Sequence, residues 1–322
     1  MHKQVDFHAI KEARGRIQPY IRHTPLEYNG ELSSKYASSI YLKLENLQVT
    51  GSFKPRGSFN KLLTLNQEER ERGVIAPSAG NHGIGLAYAA SQLKIPAHVY
   101  LPKDADSSKV KALEQFGACV TFFETIEESR LAAIEASKER GYTFLSAYNN
   151  PAMIAAGGTI GLEIIEDLCD VDVVISCLGG GGLTAGLCLA IKAVNPKVDV
   201  WGVQTENSPT FAVWNKSGKA LPVELQPSIA EGLSGPIELD TITFPIIHSL
   251  IDRILTVSEK ELIVAMKQLL NLGYIIEPSG AAGVACLQRV ESELHGLKVA
   301  FVITGRNISW SRFDSLIKTE IR

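Results

Sequence analysis

No pair of cysteines in this chain has the spacing of a metal site or a redox motif. Cys119, Cys169, Cys177, Cys188 and Cys286 are odd in number and widely separated. That excludes a disulfide scaffold and a zinc module, and predicts buried thiols in a reducing compartment, the cytoplasm. An excess of one charge sign is lacking too. With 32 Lys and Arg against 35 Asp and Glu the net charge is -3, which offers no footprint for nucleic acid or an anionic membrane. The N-terminus has no apolar stretch of the signal-peptide kind. One uncharged run, residues 173–191, is about long enough to cross a bilayer, but four glycines in its middle argue for strand, turn and helix instead. No G-x-x-x-x-G-K-[ST] occurs, which excludes a P-loop.

What is present is a strand-helix alternation in an ordinary globular composition, 45% hydrophobic and 21% charged. Helical spacing covers 7–21 and breaks at Thr24-Pro25-Leu26. Strands are predicted at 40–45, 74–76, 97–101, 118–122, 171–176, 198–203, 254–257 and 299–303. Helices are predicted at 57–65, 82–92, 108–116, 126–140, 157–168, 183–194, 259–272 and 281–293, with further regular structure at 244–251. Such repetition specifies an α/β fold with parallel sheets covered on both faces. Residues 216–240 are rich in Gly, Pro and Ser, and a loop of that length tends to be functional. Only 305–322 follows the last strand, so no appended regulatory domain is expected.

The stretch Thr50-Gly51-Ser52-Phe53-Lys54-Pro55 lies between a strand and a helix. Ser52 reads as the helix cap and Pro55 as a first-turn proline, which sets Lys54 at a helix N-terminus. A cation is disfavoured there, so the neutral, nucleophilic amine gains. Gly179-Gly180-Gly181-Gly182-Leu183 follows a buried strand and opens a helix, so free backbone N–H groups can converge on a phosphate. Gly180-x-Gly182-x-x-Ala185 also satisfies the relaxed dinucleotide pattern, with Glu206 near the place of a ribose-binding acid. Ser78-Ala79-Gly80-Asn81-His82 repeats the strand-to-helix turn and suits a carboxylate, with Ser or Asn as the cap. Thr304-Gly305-Arg306-Asn307 leaves the last strand at the same edge, and Glu277-Pro278-Ser279-Gly280 sits at another element boundary. A reactive lysine, a phosphate cup, an anion loop and a hydroxyl at a strand end together are what pyridoxal 5'-phosphate requires.

With Thr24-Pro25-Leu26, Gly158-Thr159-Ile160, Ile229-Ala230-Glu231-Gly232 and Thr304-Gly305-x-Asn307 added, the chain resembles the tryptophan-synthase-β-like, fold-type II pyridoxal phosphate enzymes over essentially its whole length. Within them it is most similar to the branch of serine/threonine dehydratases and serine racemases. The resemblance implies two doubly wound domains with the cofactor in the cleft between them. The larger, cofactor-binding domain would hold residues 1–68 and 149–322, and the smaller, substrate-gripping one residues 69–148. Lys54 would carry the Schiff base and act as the catalytic base, with Phe53 against the ring. Asn81 would bond the ring oxygen, and Gly179 to Gly182 with Leu183 would hold the phosphate. Thr304 would face the ring nitrogen, Gly232 would border the pocket, and Glu277 would lie near the ring. Ser78, Ala79, Asn81 and His82 would grip the substrate carboxylate.

The implied activity is dehydration and deamination of L-threonine and L-serine to 2-oxobutyrate or pyruvate and ammonia, in a homodimer. Alternatives are the same reaction on 3-hydroxyaspartate, serine racemisation, and, from another class, a dinucleotide-binding oxidoreductase. Ala79 stands where the racemases carry an acid/base serine, which disfavours racemisation. Gln204 and Thr210 stand at the positions of the racemases' carboxylate pair, so no metal site is expected. Gly157 stands where relatives usually have glutamine. Arg306 stands where they have glycine, and could select a second carboxylate or be solvated at the rim.

Overall fold

The computed structural model describes residues 5–78 and 80–320. Its strands are β1 (Leu26–Tyr28), β2 (Ser39–Lys43), β3 (Val74–Ala76), β4 (Ala97–Pro102), β5 (Cys119–Phe123), β6 (Thr143–Phe144), β7 (Val173–Cys177), β8 (Asp199–Thr205), β9 (Arg253–Val257) and β10 (Lys298–Val302). They form two sheets, ordered β1-β2-β10-β7-β8-β9 and β5-β4-β3-β6. Every neighbouring pair is parallel except β1 and β2, which run antiparallel. The expected all-parallel arrangement thus has one exception. β1 is a three-residue edge strand with Tyr28 exposed, too short to show an alternation in sequence. The chain leaves the six-stranded sheet after β2, builds the four-stranded one from β3 to β6, and returns at β7.

Successive residues of a strand point to opposite faces, and in the larger sheet both faces are buried. Ile40, Leu42, Ile175, Val203 and Phe301 belong to one apolar cluster, and Val174, Val200, Ala300 and Val302 to another. Two helices that cover this second face, Pro151–Asp167 and Gly182–Val194, approach unusually closely. A Cβ on Gly186 would stand 2.2 Å from the Ile154 carbonyl oxygen, and one on Gly157 3.0 Å from Leu183 Cα. Gly157 therefore lets the helix behind the glycine run settle against its neighbour, and a larger side chain there would push it away.

Several boundaries differ from the sequence reading. The helix expected from residue 157 begins at Pro151, because the Asn150 side chain caps it by accepting from the Ala152 N–H at 2.8 Å. The helix expected over 281–293 is two helices, Pro278–Ala285 and Leu287–Leu294, that meet at Cys286, whose thiol donates to the Gly283 carbonyl. Helices Thr210–Ser217 and Trp310–Lys318 were not anticipated. The uncharged run of residues 173–191 is strand, glycine turn and helix, and among the described residues no helix is long and apolar enough to cross a membrane.

Candidate active site

Lys54 is presented by a backbone tied down on its far side. Thr50 and Gly51 both have positive φ, 65° and 76°. Ser52 then pairs with Gly305 in an antiparallel bridge, flanked by Phe53 N–H to Thr304 O (3.1 Å) and Arg306 N–H to Gly51 O (3.0 Å). The helix Lys54–Leu62 begins directly after Phe53, which occupies the capping position without a side-chain bond. Ser52 is therefore not the cap: pairing with Gly305 holds it extended, and its hydroxyl has no partner among the described residues. Lys54 is the first helical residue and Pro55 follows within the first turn.

The Lys54 ammonium has no carboxylate within hydrogen-bonding range among the described residues. Its Nζ donates to Ala147 O at 3.2 Å and lies 4.9 Å from the centre of the Phe53 ring. Burial pushes its pKa down from 10.5 to about 8, with Cys177 and Glu277 opposing weakly. Two residues on, the fully buried Arg56 is bound on every side. It donates to Glu45 at 2.8 and 2.7 Å, to Glu163 at 2.6 and 2.9 Å, and to Thr159 at 3.2 Å. Glu163 also accepts from the buried Lys43 at 2.8 Å. This cluster was not read from the sequence. It anchors the turn that carries Lys54.

The glycine run faces Lys54 across a cavity of about 1100 Å³ whose walls come from the ends of strands in both sheets. Among the described residues the N–H groups of Gly179, Gly180 and Gly181 have no protein acceptor. On its other side the run is packed hard: a Cβ on Gly180 would lie 2.2 Å from the Tyr148 ring, and one on Gly182 3.0 Å from Tyr148 Cα. Gly181 has φ 87°, and Thr243 Oγ1 holds the Gly180 carbonyl at 3.0 Å. The absence of side chains lets the turn lie on Tyr148 while its donors open to the cavity. Tyr148 itself donates to Glu238, and burial raises its pKa. Nothing in the sequence around Tyr148 marked it.

Helix Asn81–Leu93 starts at the same cavity with Gly80 as an N-cap that offers no side chain, so neither Ser78 nor Asn81 caps it as expected. Among the described residues the first-turn N–H groups have no acceptor and stay open to an anion. The sharp turn requires Gly83, where a Cβ would meet the Ser78 carbonyl oxygen at 1.8 Å. His82 is buried and its Nε2 lies 2.9 Å from Leu145 O, an obligate acceptor, so Nε2 carries the proton and Nδ1 is bare. Burial and then Lys54 lower its pKa to about 4. A neutral ring with a bare Nδ1 has no side-chain donor for a carboxylate; the donor at residue 82 is its backbone N–H. Ala79 lies outside the described residues.

Asn81, Glu277 and Asn307 form a chain of hydrogen bonds at the cavity wall, with Asn81 Nδ2 to Glu277 Oε1 and Asn307 Nδ2 to Asn81 Oδ1 both at 2.6 Å. Burial raises the Glu277 pKa to about 7 against the opposing bond from Asn81. Thr304 Oγ1 borders the cavity 3.5 Å from Cys177 Sγ. Gly232 donates its N–H to Ser279 Oγ at 2.9 Å, and Phe53, Ser78 and Leu183 also line the wall. Lys109 and Glu231 bridge the mouth at 2.8 Å.

The structure brings the remaining expected residues to other places. Arg306 is exposed and does not line the cavity, although its side chain lies beside Gly51. Glu206 pairs with Arg289 at 2.8 Å away from the glycine turn. Gln204 Oε1 accepts from the Ala212 N–H, and among the described residues no cluster of three or more His, Cys, Asp or Glu is placed to hold a metal ion.

A phosphate-bearing aldehyde fits these donors. The glycine N–H groups lack acceptors, and Lys54 is an amine that burial brings toward its neutral form. Residues 17–305 match the model of the pyridoxal-phosphate dependent enzymes, and the chain belongs to that family. It is 42% identical over 310 residues to an L-threonine ammonia-lyase of Thermotoga maritima, covering 96% of this chain and 77% of that one. It is 33% identical over 314 residues to an L-threo-3-hydroxyaspartate ammonia-lyase of a Pseudomonas species, covering 97% and 98%. Its fold is similar to that of maize serine racemase, with a TM-score of 0.92 at 29% identity over 97% of this chain and 96% of that one.

Proposed function

We propose that this enzyme is a dehydratase that converts L-threonine, and L-serine beside it, to 2-oxobutyrate or pyruvate and ammonia. The observation that carries the reading is the Lys54 amine: half-buried, unpaired with any carboxylate among the described residues, and aimed at a cavity lined by open N–H donors. The similarity to an L-threonine ammonia-lyase supports the choice of substrate.

Pyridoxal phosphate, when bound, supplies the electron sink that makes the substrate α-proton acidic. Lys54 would hold its aldehyde, Phe53 would pack beside the ring, and the N–H groups of Gly179 to Gly182 and Leu183 would take the phosphate. Asn81 donates to the ring oxygen. Thr304 meets the ring nitrogen with a hydroxyl, which does not enforce a charge there. Gly232 and Glu277 close the sides.

The substrate carboxylate sits at the start of helix Asn81–Leu93, on the backbone donors of residues 81 and 82, with Ser78 beside them. With substrate bound, Lys54 would be a free amine on one face of it and would take the α-proton. The β-carbon–oxygen bond breaks with its electron pair going to oxygen, and the hydroxyl leaves as water, the proton that Lys54 took from the α-carbon balancing it. The released enamine takes up a proton at the β-carbon and hydrolyses, giving the oxo acid and ammonia. Ala79, at the position of the racemases' acid/base serine, has no side-chain proton to give, which favours elimination over racemisation.

A second reading, dehydration of 3-hydroxyaspartate, has support from the Pseudomonas relative. It is the weaker one: that relative is 33% identical against 42% for the L-threonine ammonia-lyase, and Arg306, the candidate for selecting a second carboxylate, stays outside the cavity. We further propose that residues 69–148 form a substrate-gripping unit, that the enzyme is a homodimer, and that it works in the cytoplasm; its five free cysteines suit a reducing compartment. A panel of β-hydroxy amino acids with oxo-acid detection tests the reading. L-Threonine is expected to give the highest kcat/KM; a preference for 3-hydroxyaspartate, or D-serine formed from L-serine, would overturn it.

A further inference from the structure

We infer that Asn307 sets the polarity of the Asn81 side-chain amide, so that an N–H of Asn81, and not its carbonyl oxygen, is available to the cofactor ring oxygen. The inference rests on the reading of the cavity as a pyridoxal phosphate site.

The argument is one of donors and acceptors. The Thr50 carbonyl can only accept, and it lies 2.8 Å from Asn307, so the end of the Asn307 amide facing it is nitrogen. That nitrogen also lies 2.6 Å from the amide of Asn81. With one hydrogen directed at Thr50 and the other at Asn81, it can meet only an oxygen there. The nitrogen of Asn81 therefore faces Glu277, 2.6 Å from Oε1. Its second N–H has no partner among the described residues, and Asn81 borders the cavity. Turning the Asn81 amide over would set two amide nitrogens head-on and withdraw this donor.

Glu277 cannot enforce that orientation. Burial raises its pKa to about 7, so near neutrality it is as ready to donate as to accept and would tolerate either end of the amide. The backbone, by contrast, is committed to Asn307. Thr50 is a β-branched residue held at φ 65°, ψ 5°, a conformation rare for its type. Gly51 has no room for a side chain, because a Cβ would stand 2.7 Å from Asn307 Oδ1. Asn307 thus links the approach to Lys54, through Thr50, with the residue that meets the ring oxygen.

The test is the Asn307→Asp variant, almost equal in shape but unable to donate from a carboxylate. Asn81 is then expected to turn its nitrogen to Asp and its oxygen to the cavity. The dissociation constant of pyridoxal phosphate, measured by fluorescence titration of the apoprotein, is expected to rise roughly ten- to a hundred-fold, the range for a lost hydrogen bond to an anionic acceptor. Asn81→Ala is expected to weaken binding by a similar factor, and the double variant no further than Asn81→Ala alone. Asn307→Ala, which removes the lock without imposing the reverse orientation, is expected to fall between wild type and Asn307→Asp. If Asn307→Asp does not fold, Asn307→Ala with and without Asn81→Ala makes the same comparison. Wild-type affinity in the Asn307 variants, or penalties that multiply in the double variant, would overturn the inference alone. A wild-type protein that takes up no pyridoxal phosphate would overturn the cofactor reading and the inference with it.

Discussion

Lys54 and Arg56 stand two residues apart at the start of one helix, and the protein treats their charges in opposite ways. Arg56 is surrounded by Glu45, Glu163 and Thr159. Burial works against its charge, but the two carboxylates more than offset this and hold it ionised. Burial would likewise raise the Glu163 pKa, and Arg56 with Lys43 keeps it low instead. Lys54 meets a carbonyl and an aromatic ring, with no carboxylate to hold its proton, and its pKa falls to about 8. A buried charge with its partners supplied fixes a helix in place. A buried charge without them becomes a reactive amine.

The contrast can be broken from either side. Replacing Lys54 with Ala is expected to lower oxo-acid formation by roughly 10³-fold or more, since both the covalent anchor and the base are removed; steady-state assays with L-threonine check this, and near-normal turnover would refute the role. Arg56→Met strands two carboxylates in the interior and is expected to cost about 3–5 kcal/mol of folding stability, read by denaturant unfolding of the apoprotein.

Lys54→Met is expected to act in the opposite direction. The unfolded chain holds the Lys54 proton more tightly than the folded one, so the native apoprotein is penalised below pH 8. Between about 8 and the ordinary 10.5 that penalty fades. The variant should therefore be the more stable at neutral pH by up to about 3 kcal/mol, with the difference vanishing as pH approaches 10.5. Melting curves against pH decide it, and a gap that widens above pH 8 would contradict the assignment. The smallest effect is expected at the mouth of the cavity. Glu231 is 66% exposed, so losing its pair with Lys109 should cost no more than about 1 kcal/mol. Lys109→Ala should raise KM a few-fold and leave kcat nearly unchanged, as comparison of the two constants will show.

Much of the site could be read in the chain because glycine and lysine carry their chemistry locally. Gly179 to Gly182 between an apolar strand and a helix announces open N–H donors whatever lies behind it. Eight strands were legible as apolar runs, the three-residue β3 (Val74-Ile75-Ala76) among them, whereas β1 (Leu26-Glu27-Tyr28) and the two-residue β6 carry no apolar run to read. Misreadings arose where a distant segment overruled a local preference. Ser52 has the composition of a cap but is held extended by Gly305. Tyr148 packs on the glycine turn, and Lys109 reaches Glu231 across 122 positions of sequence; neither carries a local signature. Asn307 could be seen as part of a motif, yet its task is defined by Thr50 and Asn81, which only the folded chain brings to it.

The account stands most directly on which amine holds the cofactor. Borohydride reduction of the pyridoxal phosphate-loaded protein, followed by peptide mapping with mass spectrometry, reports that residue. The pyridoxyl group is expected on the peptide that contains Lys54 and on no other. Its appearance on Lys109, the other lysine at the cavity wall, or on no lysine at all would contradict the account.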